Sequence, residues 1–239
     1  MTVIDKVIKQ CFKDSSSGFL MMIFGGLTTS IFISFVFTVL FVPVLMILMV
    51  VGLYKVAIKL FDRSVYGEDA MFYQALPVSG EQIIVSRIFV GMVALVTFHL
   101  SAYGSLASGL VMLGIGDVLV EIASDIALVV DNMGLLLAVL SITYLATVFL
   151  EAALAFALIT FTQTSKKVGR SSSDKTGLVI VILLLIRNAE NTAITAVISL
   201  LESSTNIYLF LVVVMVATVV LGGLMCKTIK RRLENNLEL

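Results

Sequence analysis

The sequence predicts an all-α polytopic membrane protein. It has six transmembrane helices with both termini on the inner side, an amphipathic interfacial helix at the N-terminus, and a short cytoplasmic helix between the second and third spans. Three observations predict this fold class. Of 239 residues, 59% are hydrophobic and 13% charged, with mean hydropathy +1.11, whereas soluble globular chains run at about 45–50% apolar and about 25% charged. The apolar residues fall into runs of spanning length. The charges, 16 basic against 16 acidic, cancel in sum but are segregated along the chain. This composition excludes a disordered chain, a collagen-like chain, a disulfide scaffold and a nucleic-acid binder.

The first two spans need an argument. No charge occurs from Ser15 to Tyr54. As one helix at ~1.5 Å per residue, that stretch would be about 60 Å long, twice a hydrocarbon core of ~30 Å. It therefore predicts two spans, 18–35 and 37–59, folded back through a turn near Ser34. Further spans follow at 88–112, 133–161, 177–199 and 207–227. These fill a single transmembrane domain over 1–239 and leave no room for a soluble catalytic domain. Lys6, Lys9 and Lys13 precede the first apolar run, but no small-residue cleavage site follows a short core, so no signal peptide is expected. Cys11 and Cys226 sit near opposite ends of the chain, at no metal or disulfide spacing.

The charges orient the spans. With the N-terminus inside, six spans place the N-terminal segment, the loops 60–86 and 162–176 and the C-terminal tail on one side. Those segments and their flanks hold every Lys and Arg except Arg187. The outer loops carry only acids: Asp117, Glu121, Asp125, Asp131 and Glu202. An odd number of spans would break this separation, so the positive-inside bias predicts both termini in the cytoplasm.

Three segments between spans carry pattern. In residues 1–14, Val3, Ile4, Val7, Ile8, Cys11 and Phe12 recur at helical spacing with Asp5, Lys6, Lys9 and Gln10 opposite, which predicts an amphipathic helix in the inner interface. The outer segment from Gly114 to Asn132 alternates apolar and acidic positions at helical spacing, as a short helix on the outer leaflet or a solvated loop would. In the inner loop, Glu68 and Asp69 open a short helix whose positive dipole end favours carboxylates. Met71, Phe72, Tyr73 and Leu76 give it a bulky apolar surface and Pro77 stops it. Ser79 and Gln82 then form a capping box that starts the next helix, through Arg87 into the third span. Apolar surface displayed on a loop marks a protein contact.

The short helix ending in LPVS, the turn, and the helix EQIIVSRIFVG resemble the permease subunits of ABC-2-type ABC transporters, in particular small bacterial permeases of peptide-toxin export and bacteriocin self-immunity. The motif covers residues 66–91; the six-span plan and the N-terminal helix extend the resemblance over the whole chain. It implies that the segment Glu68–Leu76 is a coupling helix docking on a separate ATP-hydrolysing subunit, with Pro77, Ser79 and Gln82 passing its displacement to the third span. It also implies a multi-pass protein of the bacterial cytoplasmic membrane in a 2:2 assembly of permeases and ATPases, the second permease being another copy or a paralogue. The family often has re-entrant helices between spans five and six, which here would have to come from 188–206. No G-x-x-x-x-G-K-[ST] loop occurs, so this chain is not expected to be an enzyme; it carries no cofactor, and ATP and Mg belong to the partner. The implied activity is ATP-driven export of hydrophobic or amphipathic cargo such as peptides.

Ionisable groups in mid-membrane cost several kcal/mol and face a partner or a cavity. At ~1.5 Å per residue, His99 is about 18 Å above Arg87, Arg187 about 18 Å above Lys175 and Glu151 about 22 Å above Lys166, near one depth. The expectation is a Glu151–Arg187 pair with Glu190 one turn beyond, serving either to lock helices together or to contact ions or substrate. His99 reads more simply as a helix–helix hydrogen-bond partner. The alternative function is an ion-gradient-driven secondary transporter using His99, Glu151, Arg187 and Glu190. Against it, the two halves of the chain show no matching repeat with broken helices. Gly25, Gly26, Gly104, Ser105, Ser108, Gly222 and Gly223 read as sites of close helix approach.

Overall fold

The computed structural model describes residues 3–32, 38–63, 79–112, 132–163 and 204–237, with 116–117, 120–121 and 124 between the third and fourth of these stretches. The long helices are α1 (Val3–Phe32), α2 (Thr38–Ala57), α3 (Gly80–Met112), α4 (Met133–Gln163) and α5 (Ser204–Leu237). A π-helical stretch, Ile58–Arg63, continues α2. Three stretches among the described residues are long and apolar enough to cross a membrane: Gly80–Ser105, Met133–Thr160 and Tyr208–Leu233. The described chain is all-helical and membrane-like in character. The fifth expected span and the turn near Ser34 lie outside the described residues.

The charge-free stretch does divide into two helices, and glycine sets how closely they meet. A Cβ on Gly18 would lie 2.6 Å from the Gly52 carbonyl oxygen, and one on Gly52 would lie 2.8 Å from the Gly18 carbonyl oxygen and 2.9 Å from Met22 Cγ. The contact is thus backbone on backbone, with α1 and α2 antiparallel. In lipid no water is released when apolar helices meet, so such packing and the dispersion it brings are what hold them together. Gly26 lies against Ser101 of α3 and Gly222 against the Phe149 ring, as the small-residue reading expects; a Cβ on Gly104 or Gly223 would meet nothing within 4 Å.

Contacts between helices fix their directions. α1 and α3 run parallel, since Ile23, Gly26 and Leu27 share a groove with Thr97, Leu100, Ser101 and Gly104. α3 and α4 are antiparallel: Gly91 faces Ala152, and His99 faces Tyr144. α4 and α5 run parallel, with Tyr208 Oη donating to Asn132 O (3.3 Å) at their starts and Phe149 beside Gly222 further on. One end of the bundle therefore gathers the first turns of α1 and α3 with the last turns of α2, α4 and α5. Val7, Cys11, Leu60, Ile84, Ile159, Ile229 and Leu233 are buried in its core.

That core alters the reading of the N-terminus. Residues 1–14 are expected as a separate interfacial helix ahead of a span at 18–35, but α1 continues without a break from Val3 to Phe32. The amphipathic pattern holds, with Val7 and Cys11 buried and Lys6, Lys9 and Lys13 exposed. Its apolar face meets protein rather than lipid. Nothing between Asp14 and Gly18 breaks the helix: Gln10 Nε2 donates to Asp14 Oδ1 (2.9 Å), an i,i+4 bond that supports the turn leading into Ser15.

Hydroxyls within the helices mostly bond their own backbone. Thr28 donates to Phe24 O, Thr29 to Gly25 O, Thr97 to Val93 O, Thr143 to Val139 O and Thr147 to Thr143 O, all within 2.6–2.9 Å. Returning the O–H to the i−4 carbonyl satisfies it where water is absent.

Candidate functional site

The junction between the end of α2 and the start of α3 is built from the residues that the sequence singles out and from one that it misplaces. Ser79 Oγ accepts from the Gln82 backbone N–H (3.3 Å), and Gln82 Oε1 accepts from the Ser79 N–H (3.1 Å). The capping box is formed reciprocally, and the Ile83 N–H donates to Ser79 O (3.1 Å) as the first turn of α3. Glu68, Asp69, Met71, Phe72, Tyr73, Leu76 and Pro77, expected as the coupling helix, lie outside the described residues.

Arg87 is the misplaced residue. The sequence reading puts it at the inner boundary as one more flanking cation, but it is 1% exposed. Its Nε donates to Leu60 O (3.1 Å), inside the π-helical stretch, and its Nη1 donates to Ile83 O (3.4 Å) one turn back on α3. A planar guanidinium suits this task because it presents several donors at fixed angles. Beside it Phe61 stacks on Phe156 of α4, with centroids 5.0 Å apart, and its ring fills the space where a Cβ on Gly91 would stand. The sequence does show Ile83, Ile84, Val90 and Ala94 around Arg87 on one helical face, but a cation at a span end can equally reach from such a face into the polar layer of a membrane. A π-helical segment is itself a common mark of functional positions.

A second tie joins this junction to α5. Glu81, in the first turn of α3, forms an ion pair with Lys230. Their side chains are 67% and 39% exposed, so solvent screens the pair and the contact aligns α5 more than it holds it.

The intramembrane patch is only partly assembled among the described residues. His99 is buried, and its Nδ1 lies 3.0 Å from Tyr144 Oη on α4, flanked by the rings of Phe98 and Tyr103. This is the interhelical hydrogen-bond role read for it from sequence. Glu151 is half-buried on the same face of α4 as Tyr144, two turns further on. Since Gly91 faces Ala152, Glu151 stands about 10 Å from His99 along the bundle, not level with it. Depths counted from Arg87 and Lys166 treat both as boundary residues, and Arg87 is buried. Arg187 and Glu190 lie outside the described residues, and so does the expected Glu151–Arg187 pair. Replacing Tyr144 with Phe removes the hydroxyl from His99 and is expected to lower stability by about 1 kcal/mol, as interhelical hydrogen bonds in membranes do. Unfolding midpoints of wild type and Y144F in the same detergent measure it.

No protein-family model matches the chain, and neither does any curated protein or solved structure.

Proposed function

We propose that the chain is the membrane-spanning permease subunit of an ATP-driven exporter of the ABC-2 type, with six spans and both termini in the cytoplasm. The observation that carries this reading is the α2–α3 junction. α3 starts at a closed capping box of Ser79 and Gln82, and it is tied to the end of α2 through Arg87 and Leu60. A push delivered there reaches two helices as one rigid body. A Gly/Ser loop would absorb it.

The helix directions support six spans. α4 and α5 run parallel, so the end of α4 and the start of α5 lie at opposite ends of the bundle, an arrangement that suits the expected span 177–199. The end that gathers Lys6, Lys9, Lys13, Lys55, Lys59, Lys227 and Lys230 is then the cytoplasmic one. The partners are an ATPase subunit on that face and a second permease, another copy or a paralogue, in a 2:2 complex in the bacterial inner membrane. The cargo is hydrophobic or amphipathic, such as a peptide.

Purification of the tagged full chain from its native membrane is expected to retain a P-loop ATPase in equal stoichiometry, with vanadate-sensitive hydrolysis. In reconstituted complex, S79A/Q82A is expected to lower transport several-fold more than it lowers ATP hydrolysis. Transport by the permease with no ATP-binding subunit present would falsify the reading. Ion-gradient-driven uptake lost in H99Q would favour the secondary-transporter alternative.

A further inference from the structure

Two helices share one arrangement at the same end of the bundle. On α1 the outward face runs through Leu20, Phe24 and Leu27, which are 66%, 64% and 61% exposed. Followed toward the N-terminus at 3.6 residues per turn, this face becomes Lys13, Lys9 and Lys6, all exposed. It lies opposite the face that buries Val7, Cys11 and Met22. On α5 the outward face through Val213, Val216, Val220 and Leu224 runs on into Lys227 and Arg231, also exposed. On both helices the basic side chains therefore stand directly below apolar side chains that point away from the protein.

The position suits a lipid headgroup. Lys227 is about 5 Å beyond Leu224 along its helix and Lys13 about 10 Å beyond Leu20, while the polar layer of a leaflet is about 5–8 Å deep. Lysine and arginine stems reach back along apolar surface while the charge stays in the polar layer. Lys9 lies further out, about one Debye length from the membrane surface, and Lys6 about 5 Å beyond it. None of these five side chains makes an ion pair or hydrogen bond among the described residues, whereas Lys230, turned toward α3, is paired with Glu81. Because α1 is one continuous helix, its three ammonium groups are held in line before any ligand arrives.

We propose that these two outward basic stripes bind anionic phospholipid headgroups, holding negatively charged lipid against α1 and α5 at this end of the bundle. A cation beside an anionic leaflet is attracted to it, and charges already aligned along a rigid helix add their attractions with little loss of side-chain freedom. The inference rests on the bundle lying in a bilayer with its exposed apolar stripes toward lipid. It does not depend on an ATPase partner, and its test contains none, so the two readings fail separately.

The test uses the full chain reconstituted in nanodiscs of phosphatidylcholine, with or without phosphatidylglycerol, read by unfolding midpoint and by lipid retained in native mass spectrometry. Phosphatidylglycerol is expected to raise the wild-type Tm by on the order of 5 °C and to be retained in preference to phosphatidylcholine. High salt is expected to shrink both effects. K6Q/K9Q/K13Q/K227Q/R231Q is expected to lose both while keeping the wild-type Tm in pure phosphatidylcholine. K6R/K9R/K13R, which keeps the charge, is expected to retain them, and K6Q/K9Q/K13Q alone is expected to lose part, which covers poor folding of the fivefold variant. The proposal is overturned if wild type does not distinguish the two lipids, or if the fivefold variant gains as much as wild type. It is also overturned if glycerol phosphate or inorganic phosphate in phosphatidylcholine discs reproduces the gain, because the site would then hold a free anion.

Discussion

Replacing Arg87 with methionine is expected to destabilise the protein by about 3 kcal/mol or more. Methionine nearly matches the aliphatic stem but donates nothing, so Leu60 O and Ile83 O lose the guanidinium that lies within 3.1 and 3.4 Å of them. A hydrogen bond to a charged group is worth about 1.5–3 kcal/mol, and the second, longer bond adds less. At about 2–4 °C per kcal/mol for a chain of this size, the unfolding midpoint in detergent should fall by about 6–12 °C. Arg87→Lys is the informative companion. It keeps the charge but not the planar fork, and it is expected to recover less than half of the loss. An R87M midpoint within a degree or two of wild type would mean that the π-helical end of α2 is held by Phe61 and its neighbours instead. If the chain is the permease proposed above, R87M is expected to weaken the link between ATP hydrolysis and transport as well, since it removes the Arg87–Leu60 tie between α2 and α3.

The second large effect is steric. Gly18→Val is expected to cost about 3 kcal/mol, at the upper end of what overpacking does, and Gly18→Ala about 1–2 kcal/mol. The reason is what a new side chain meets: the Gly52 carbonyl oxygen at 2.6 Å and the Val56 backbone nitrogen at 3.2 Å, neither of which can turn aside as a side chain would. α1 and α2 must separate, and in lipid no hydrophobic force restores their contact. The same substitutions at Gly223, where a Cβ would meet nothing within 4 Å, serve as the control and are expected to cost little or to stabilise α5 through better helix propensity. Midpoints of unfolding for G18A, G18V, G223A and G223V under one detergent condition decide it. Equal effects at the two positions would show that α1 and α2 are not packed through their backbones.

Much of the fold was legible because bilayer thickness imposes a length. The stretch from Ser15 to Tyr54 is too long for one span, and it is found as two helices. The start of α3 was legible for a different reason: a capping box is a local exchange between Ser79 and Gln82, which needs no tertiary partner. The separate N-terminal helix was not legible. Apolar positions at Val7 and Cys11 mark a face that avoids water, and lipid or the buried sides of α2 and α3 satisfy that requirement equally. The same ambiguity hid Arg87, because a cation near a span end fits the polar layer of a membrane as well as it fits a carbonyl of a neighbouring helix.

By itself the sequence determined that this is a helical protein of membrane-like composition and on which segments the charges fall. Those follow from residue type and spacing alone. Only the tertiary structure decided which face of each helix meets protein. It paired Gly18 with Gly52 and Tyr144 with His99, drew the first turns of α1 into a core with Leu60 and Ile229, and turned Lys6, Lys9 and Lys13 outward. The physical reason is that lipid and protein interior are nearly equal as apolar solvents, so hydropathy registers leaving water but not the choice between them. That choice rests on shape and on hydrogen bonds between residues far apart in sequence, and these exist only once the helices have packed.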